Sequence, residues 1–201
     1  MSQLKAAGRE NEKMERDVVE NGSLCKTKSN KIILSAMFLS LGMVLPFLTG
    51  QIKEIGDTLL PMHIPVMLCG LVCGCKYGFA VGIILPFLRS VVVGMPPIYP
   101  NAVWMSAELA TYGFIIGFLY FAFYKKQIWW LYCCLFISMI SGRIVWGVTK
   151  AILLGAAGKV FTLQAFIVGG ILDSFPGILL QFILIPAIIQ LINIKKEKQK
   201  L

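Results

Sequence analysis

The feature that most constrains this chain is a succession of apolar blocks, each roughly 20 residues long, with most of the charge confined to the joints between them. A block of that length wound as an α-helix spans the roughly 30 Å of bilayer hydrocarbon. It also satisfies its own backbone hydrogen bonds, which lipid cannot do for it. Windows of this kind place six candidate spans at about Lys31–Gly50, Met62–Cys75, Gly78–Gly94, Asn101–Tyr124, Ile128–Gly155 and Thr162–Ile194. The second is short, bounded by Pro61 and a turn at Cys75-Lys76-Tyr77-Gly78, and is expected to begin within the outer interface. The fifth and sixth are long enough to tilt or to extend beyond the bilayer. With 57% hydrophobic and only 14% charged residues, the chain lies well outside the range of soluble domains, where about 25% are charged. The expected fold is all-α, a polytopic membrane protein with six transmembrane helices and both termini cytoplasmic.

The orientation rests on the distribution of Lys and Arg. With the N-terminus inside, the amino-terminal segment through Lys31, Lys76, Lys125, Lys126 and the C-terminal KKEKQK put 14 basic residues on the cytoplasmic side. Lys53 and Lys159 are then the two outside, and reversing the protein would invert that bias. Residues 1–30 are polar, mixed in charge and poor in aromatics, the composition of a disordered cytoplasmic tail. A short helix over Glu10–Val19 fits there, without an assigned role. No small-residue cleavage site follows a short apolar core, so a signal peptide is not expected. Residues 31–194 form the transmembrane domain, and 195–201 a basic cytoplasmic tail.

Small residues four apart, Gly70, Gly74, Gly78 and Gly82, then Gly113 and Gly117, predict close helix packing. The six cysteines, at positions 25, 69, 73, 75, 133 and 134, sit mostly in apolar surroundings. Buried packing is therefore favoured over metal or redox chemistry. No H-E-x-x-H or G-x-S-x-G motif is present, and GAAGKV at Gly155–Val160 lacks the spacing and the Ser or Thr of a phosphate loop. Neither an enzyme nor a cofactor is expected, nor a nucleic-acid partner, and any ATP-driven function needs other subunits.

Five charged residues fall inside the spans: Arg89, Glu108, Arg143, Lys150 and Asp173. An arginine at the bilayer centre costs about 3 kcal/mol on insertion scales, so the depth of each matters. At 1.5 Å per residue, Arg89 lies roughly 16 Å and Arg143 about 22 Å above the inner ends of their helices. Glu108 lies about 10 Å and Asp173 about 15 Å below the outer ends of theirs. Lys150 is near the outer boundary. All five therefore occupy the middle or outer half. Helical spacing aligns Asn101, Trp104, Glu108 and Thr111 on one stripe, and Arg143, Trp146 and Lys150 on another. Phe166, Gly169 or Gly170, Asp173 and Gly177 form a third. Two readings stand. Arg89–Glu108 and Arg143–Asp173, or the crossed pairs, are structural ion pairs; or some of them line a small-molecule pocket. Three cations against two anions leave one positive charge for an anionic ligand, unless Lys150 snorkels outward.

LPMHIPVMLCGLVCGCKYG (Leu60–Gly78), LPFLRSVVVGMPPIYP (Leu85–Pro100), MSAELATYGFIIGFLY (Met105–Tyr120) and PGILLQFILIP (Pro176–Pro186) together resemble the substrate-specific component of energy-coupling factor (ECF) transporters. The M-H-I-P start of the second span and the G-x-K-Y-G after it are the most specific elements. The resemblance covers about Lys31–Ile194. It implies a bacterial plasma-membrane protein of six helices that captures a vitamin or related micronutrient from outside. It further implies docking on a shared transmembrane coupling subunit with two ATPases. The pocket it implies opens outward beneath loops at about Gln51–Pro61 and Gly155–Phe161. It implies a docking contact through small residues four apart in the first helix, here Ala36 and Ser40.

The residues favour a small anionic, partly polar ligand such as pantothenate. Arg89 or Arg143 would receive its carboxylate, with Trp104, Trp146, Tyr99 and Tyr112 as stacking or apolar walls. Asn101 and Lys150 complete the candidate binding set. A pyridoxine-like or queuosine-precursor ligand stays open, because Glu108 and Asp173 can accept its donors. His63 at the outer mouth either caps and pairs or touches the ligand. The alternative function is a stand-alone secondary transporter of a small organic anion.

Overall fold

The structure, a computed structural model, describes residues 27–48, 60–122, 128–156, 158, 162, 164, 166, 168–172 and 174–198. Six helices carry the described chain: α1 (Lys28–Leu48), α2 (His63–Cys73), α3 (Cys75–Val93), α4 (Val103–Ala122), α5 (Ile128–Ala156) and α6 (Phe175–Lys198). Two wide π turns, Ile98–Ala102 and Val168–Leu172, lead into α4 and towards α6. Five stretches are long and apolar enough to cross a membrane: Lys28–Phe47, Cys75–Val93, Ile98–Ala122, Ile128–Ala156 and Val168–Ile192. The chain is thus an all-α, multi-pass membrane protein.

The short second span has a physical explanation in its burial. All eleven residues of α2 are buried, so this helix is apolar on every side and sits in the middle of the bundle. Its boundary differs from the expected one. A single residue, Gly74 at φ +105°, separates α2 from α3, and Lys76 and Tyr77 already belong to the first turn of α3. Glycine reaches that backbone region without a Cβ clash, so the reversal needs no longer turn.

The glycine spacing works as close packing. A Cβ on Gly82 would fall 2.6 Å from the backbone of Leu109 and Ala110, and one on Gly70 would fall 2.5 Å from the Gly113 carbonyl oxygen. A Cβ on Gly113 would overlap the Gly78 carbonyl. Helices α2, α3 and α4 therefore meet backbone to backbone, the geometry that small residues permit in lipid. α1 lies against α2 and α3, with Gly42 beneath Leu85 and the Cys69 thiol 3.6 Å from the Ser35 hydroxyl. Its other face, with Ile33, Met37, Leu41 and Val44, is exposed, as are Ala36 and Ser40. α5 packs on α4, and α6 rests on α5 and α2, where Phe182 stacks on Tyr132 at 6.4 Å.

Candidate functional site

Glu108 is the centre of the buried polar chemistry. It lies in the sixth position of α4 and is only 2% exposed. Such a carboxylate persists in an apolar bundle only where donors meet it. Three side chains converge on one of its oxygens. Arg143 Nη1 from α5 is 3.0 Å from Oε1, Tyr112 donates its hydroxyl to Oε1 at 2.9 Å, and His63 Nε2 at the start of α2 is 3.5 Å away.

Each of the three is placed by local structure. Tyr112 stands one turn below Glu108 on the same helix. Its ring lies against Gly142, where any Cβ would overlap it, and Ser138 donates its hydroxyl to the Tyr112 carbonyl at 3.2 Å. Gly142 immediately precedes Arg143, so the close approach of α4 and α5 at that glycine brings the guanidinium to the carboxylate. His63 opens α2 after a tight turn in which its N–H bonds the Leu60 carbonyl at 3.1 Å, with Leu60 at φ +49°. Its ring packs on Tyr112 with centroids 5.2 Å apart.

A cation and aromatic layer lies further towards the C-terminal end of α5. Arg143 Cζ is 5.9 Å from the Trp146 ring. The Lys150 ammonium lies 4.4 Å from the Trp146 ring and 5.3 Å from the Trp104 ring, distances at which a cation is attracted by an indole face. Trp146 is also packed by Phe166, at 6.0 Å between centroids, and by Gly170, where an added Cβ would stand 3.3 Å from the indole. The structure thus brings together His63, Trp104, Glu108, Tyr112, Arg143, Trp146 and Lys150 from three helices.

Arg89 is placed elsewhere. It is 6% exposed, donates Nε–H to the Met95 carbonyl at 3.1 Å and sits 5.8 Å from the Phe47 ring of α1. The adjacent Ser90 hydroxyl donates to the Pro96 carbonyl. Among the described residues Arg89 makes no ion pair with Glu108, which is matched by Arg143 instead. The reason is axial level. Gly82 packs on Leu109 and Ala110, and α3 and α4 run in opposite directions, so Arg89 stands about 8 Å further along the bundle than Glu108. The anticipated Arg89–Glu108 pair is therefore replaced by one of the crossed pairs, Arg143–Glu108.

Tyr99 is extended within its turn and 61% exposed, while Asn101 is half-buried. Asp173, most of the loop expected at Gln51–Pro61, Lys159 within the other loop, and residues 1–26 and 199–201 of the tails lie outside the described residues, while residues 28–30 and 195–198, expected in the tails, belong to α1 and α6. Gln181 of α6 went unnoticed in the sequence: it is fully buried, and its amide has no hydrogen-bond partner among the described residues. A lone amide in the run ILLQFILI was the available signal. Gly142 was missed too, because no glycine spacing marks it.

A family model described as "ECF transporter, substrate-specific component" matches residues 30–192. No curated protein and no solved structure matches the chain.

Proposed function

The chain belongs to the substrate-specific components of ECF transporters, and from that premise we propose that it captures a small anionic micronutrient outside the cell, pantothenate being the favoured ligand. In this reading Arg143 receives the carboxylate, and Trp104 and Trp146 wall the body of the ligand. Lys150 adds a second positive centre about two turns further along α5, against the Trp104 and Trp146 rings. His63, Glu108 and Tyr112 form the polar floor that holds Arg143, Asn101 and Tyr99 stay candidate contacts at the mouth, and Asp173 stays a candidate contact. The observation that carries the reading is the state of Arg143. It spends Nη1 on Glu108, while its buried Nε and Nη2 have no hydrogen-bond partner among the described residues. Two unmet donors on one guanidinium edge suit a carboxylate. Pantothenate supplies that group.

The coupling partners follow from the family: a shared transmembrane subunit and two ATPases. Ala36 and Ser40 are the proposed docking contacts on α1, because both lie on its exposed face and are small enough for close helix approach. The proposed topology has six crossings, α2 included, in the bacterial plasma membrane with both termini cytoplasmic.

Mass spectrometry of small molecules that co-purify with the protein tests the ligand. A carboxylate vitamin is the expected finding, and a neutral or cationic one refutes the proposed role of Arg143. Uptake in cells tests the assembly. It is expected only when the coupling and ATPase subunits are co-expressed, and uptake by this chain alone would establish a secondary transporter.

A further inference from the structure

Arg143 is already paired, yet only part of its guanidinium is used. Nε and Nη2 form one edge of that rigid plane, a side-on fork whose parallel N–H bonds match the two oxygens of a carboxylate. Because the group moves as a plane, holding Nη1 also fixes where the opposite edge points. Glu108 does the holding, with Oε1 3.0 Å from Nη1. Tyr112 holds Glu108 in turn through its 2.9 Å hydrogen bond, and Gly142 and Ser138 hold Tyr112 against α5. Glu108, Tyr112, Gly142 and Ser138 are buried, and Arg143 is half-buried with its Nε and Nη2 enclosed, so little solvent competes for these donors.

Resting on the reading of the chain as a receptor for a small acid, we infer that Glu108 is a positioning residue: by pinning Nη1 of Arg143 it aims the Nε/Nη2 fork and makes the site select a carboxylate over the corresponding alcohol. Glu108 touches no ligand in this arrangement and acts through Arg143.

The sign of one effect separates positioning from plain electrostatics. Glu108 is itself an anion beside the fork. By Coulomb's law alone, removing its charge should strengthen the attraction of Arg143 for an acid. A positioning role predicts the reverse. The test measures binding to the full-length purified protein of three acid and alcohol pairs: pantothenate and panthenol, nicotinate and its primary alcohol, biotin and biotinol. Wild type is expected to bind at least one acid about tenfold or more tighter than its alcohol, the scale of a charge-assisted fork. Glu108→Gln loses the charge and leaves Nη1 and Tyr112 a single neutral amide oxygen, a weaker acceptor that holds the guanidinium less firmly. It is expected to weaken that acid about tenfold and to leave the alcohol within about twofold. Arg143→Lys, which keeps the charge without the fork, is expected to lose the same preference.

Tyr112→Phe supplies a second reading that does not depend on the folding of the Glu108 variant. It retains the ring and is expected to lower the acid preference about threefold. Tighter or unchanged acid binding in Glu108→Gln overturns the inference, as does an unchanged preference in Tyr112→Phe. A wild-type protein that treats all three pairs alike overturns it as well. Failure of ATP-dependent uptake would instead count against the receptor reading, so the two failures are distinguishable.

Discussion

Two arginines inside the helices of this chain, Arg89 and Arg143, show how neighbours, rather than residue type, decide a role. Arg143 meets a carboxylate and leaves an edge of its guanidinium unmet. Arg89 meets a backbone carbonyl and an aromatic ring, and so fastens the C-terminal end of α3 to the following loop and to α1. Arg89→Ala should therefore lower stability by about 2 kcal/mol, the worth of a hydrogen bond from a charged donor. Thermal unfolding in detergent measures this, and ligand affinity should change less than in Glu108→Gln. An Arg89→Ala protein as stable as wild type but unable to bind would return Arg89 to the ligand. From the sequence the presence of both arginines at depth was legible, and so was the stripe of Arg143, Trp146 and Lys150, which helical spacing alone produces. Which acid each arginine faces was not, because pairing depends on the axial offset between α3 and α4.

At the scale of elements, the hydrophobic blocks were legible to within a few residues for α1, α4 and α5, since window length and composition fix a membrane helix. The α2–α3 junction was displaced. Sequence placed the turn over Cys75–Gly78, where a lysine and a tyrosine interrupt the apolar run, but Gly74 alone makes the reversal. The other glycines of the series have a different use from Gly74. Gly78 and Gly113 face each other so closely that a Cβ on Gly113 would overlap the Gly78 carbonyl. Gly113→Ala should therefore separate α3 from α4 and cost about 3 kcal/mol, the upper end of overpacking penalties. A lower unfolding temperature and reduced monodisperse yield on size exclusion would register it. Gly155→Ala, at a position with open space around the added Cβ, should leave both unchanged. The same displacement would carry Glu108 relative to α2, so acid binding in Gly113→Ala is expected to fall with stability.

For the molecule as a whole, the charge distribution predicts the topology. A reporter active only outside the cytoplasm should be silent when fused to either terminus and active when inserted after Ala156. Activity at the C-terminus would mean an odd number of crossings and would remove α2 from the count. The membrane environment also explains how the chain divides between what was written and what emerged. Lipid leaves a polypeptide few options, so the apolar block lengths determined a helical bundle, the Lys and Arg bias set its expected orientation, and isolated charges flagged a polar level inside it. Together with four short motifs these features also pointed to the family. Tertiary structure decided the rest: that α2 is a wholly buried core helix, that Arg143 rather than Arg89 meets Glu108, and that Tyr112 and His63 complete the cluster. Those outcomes turn on helix offsets of a few ångströms, set by glycine contacts between segments far apart in the chain, and no local pattern of residues encodes such an offset.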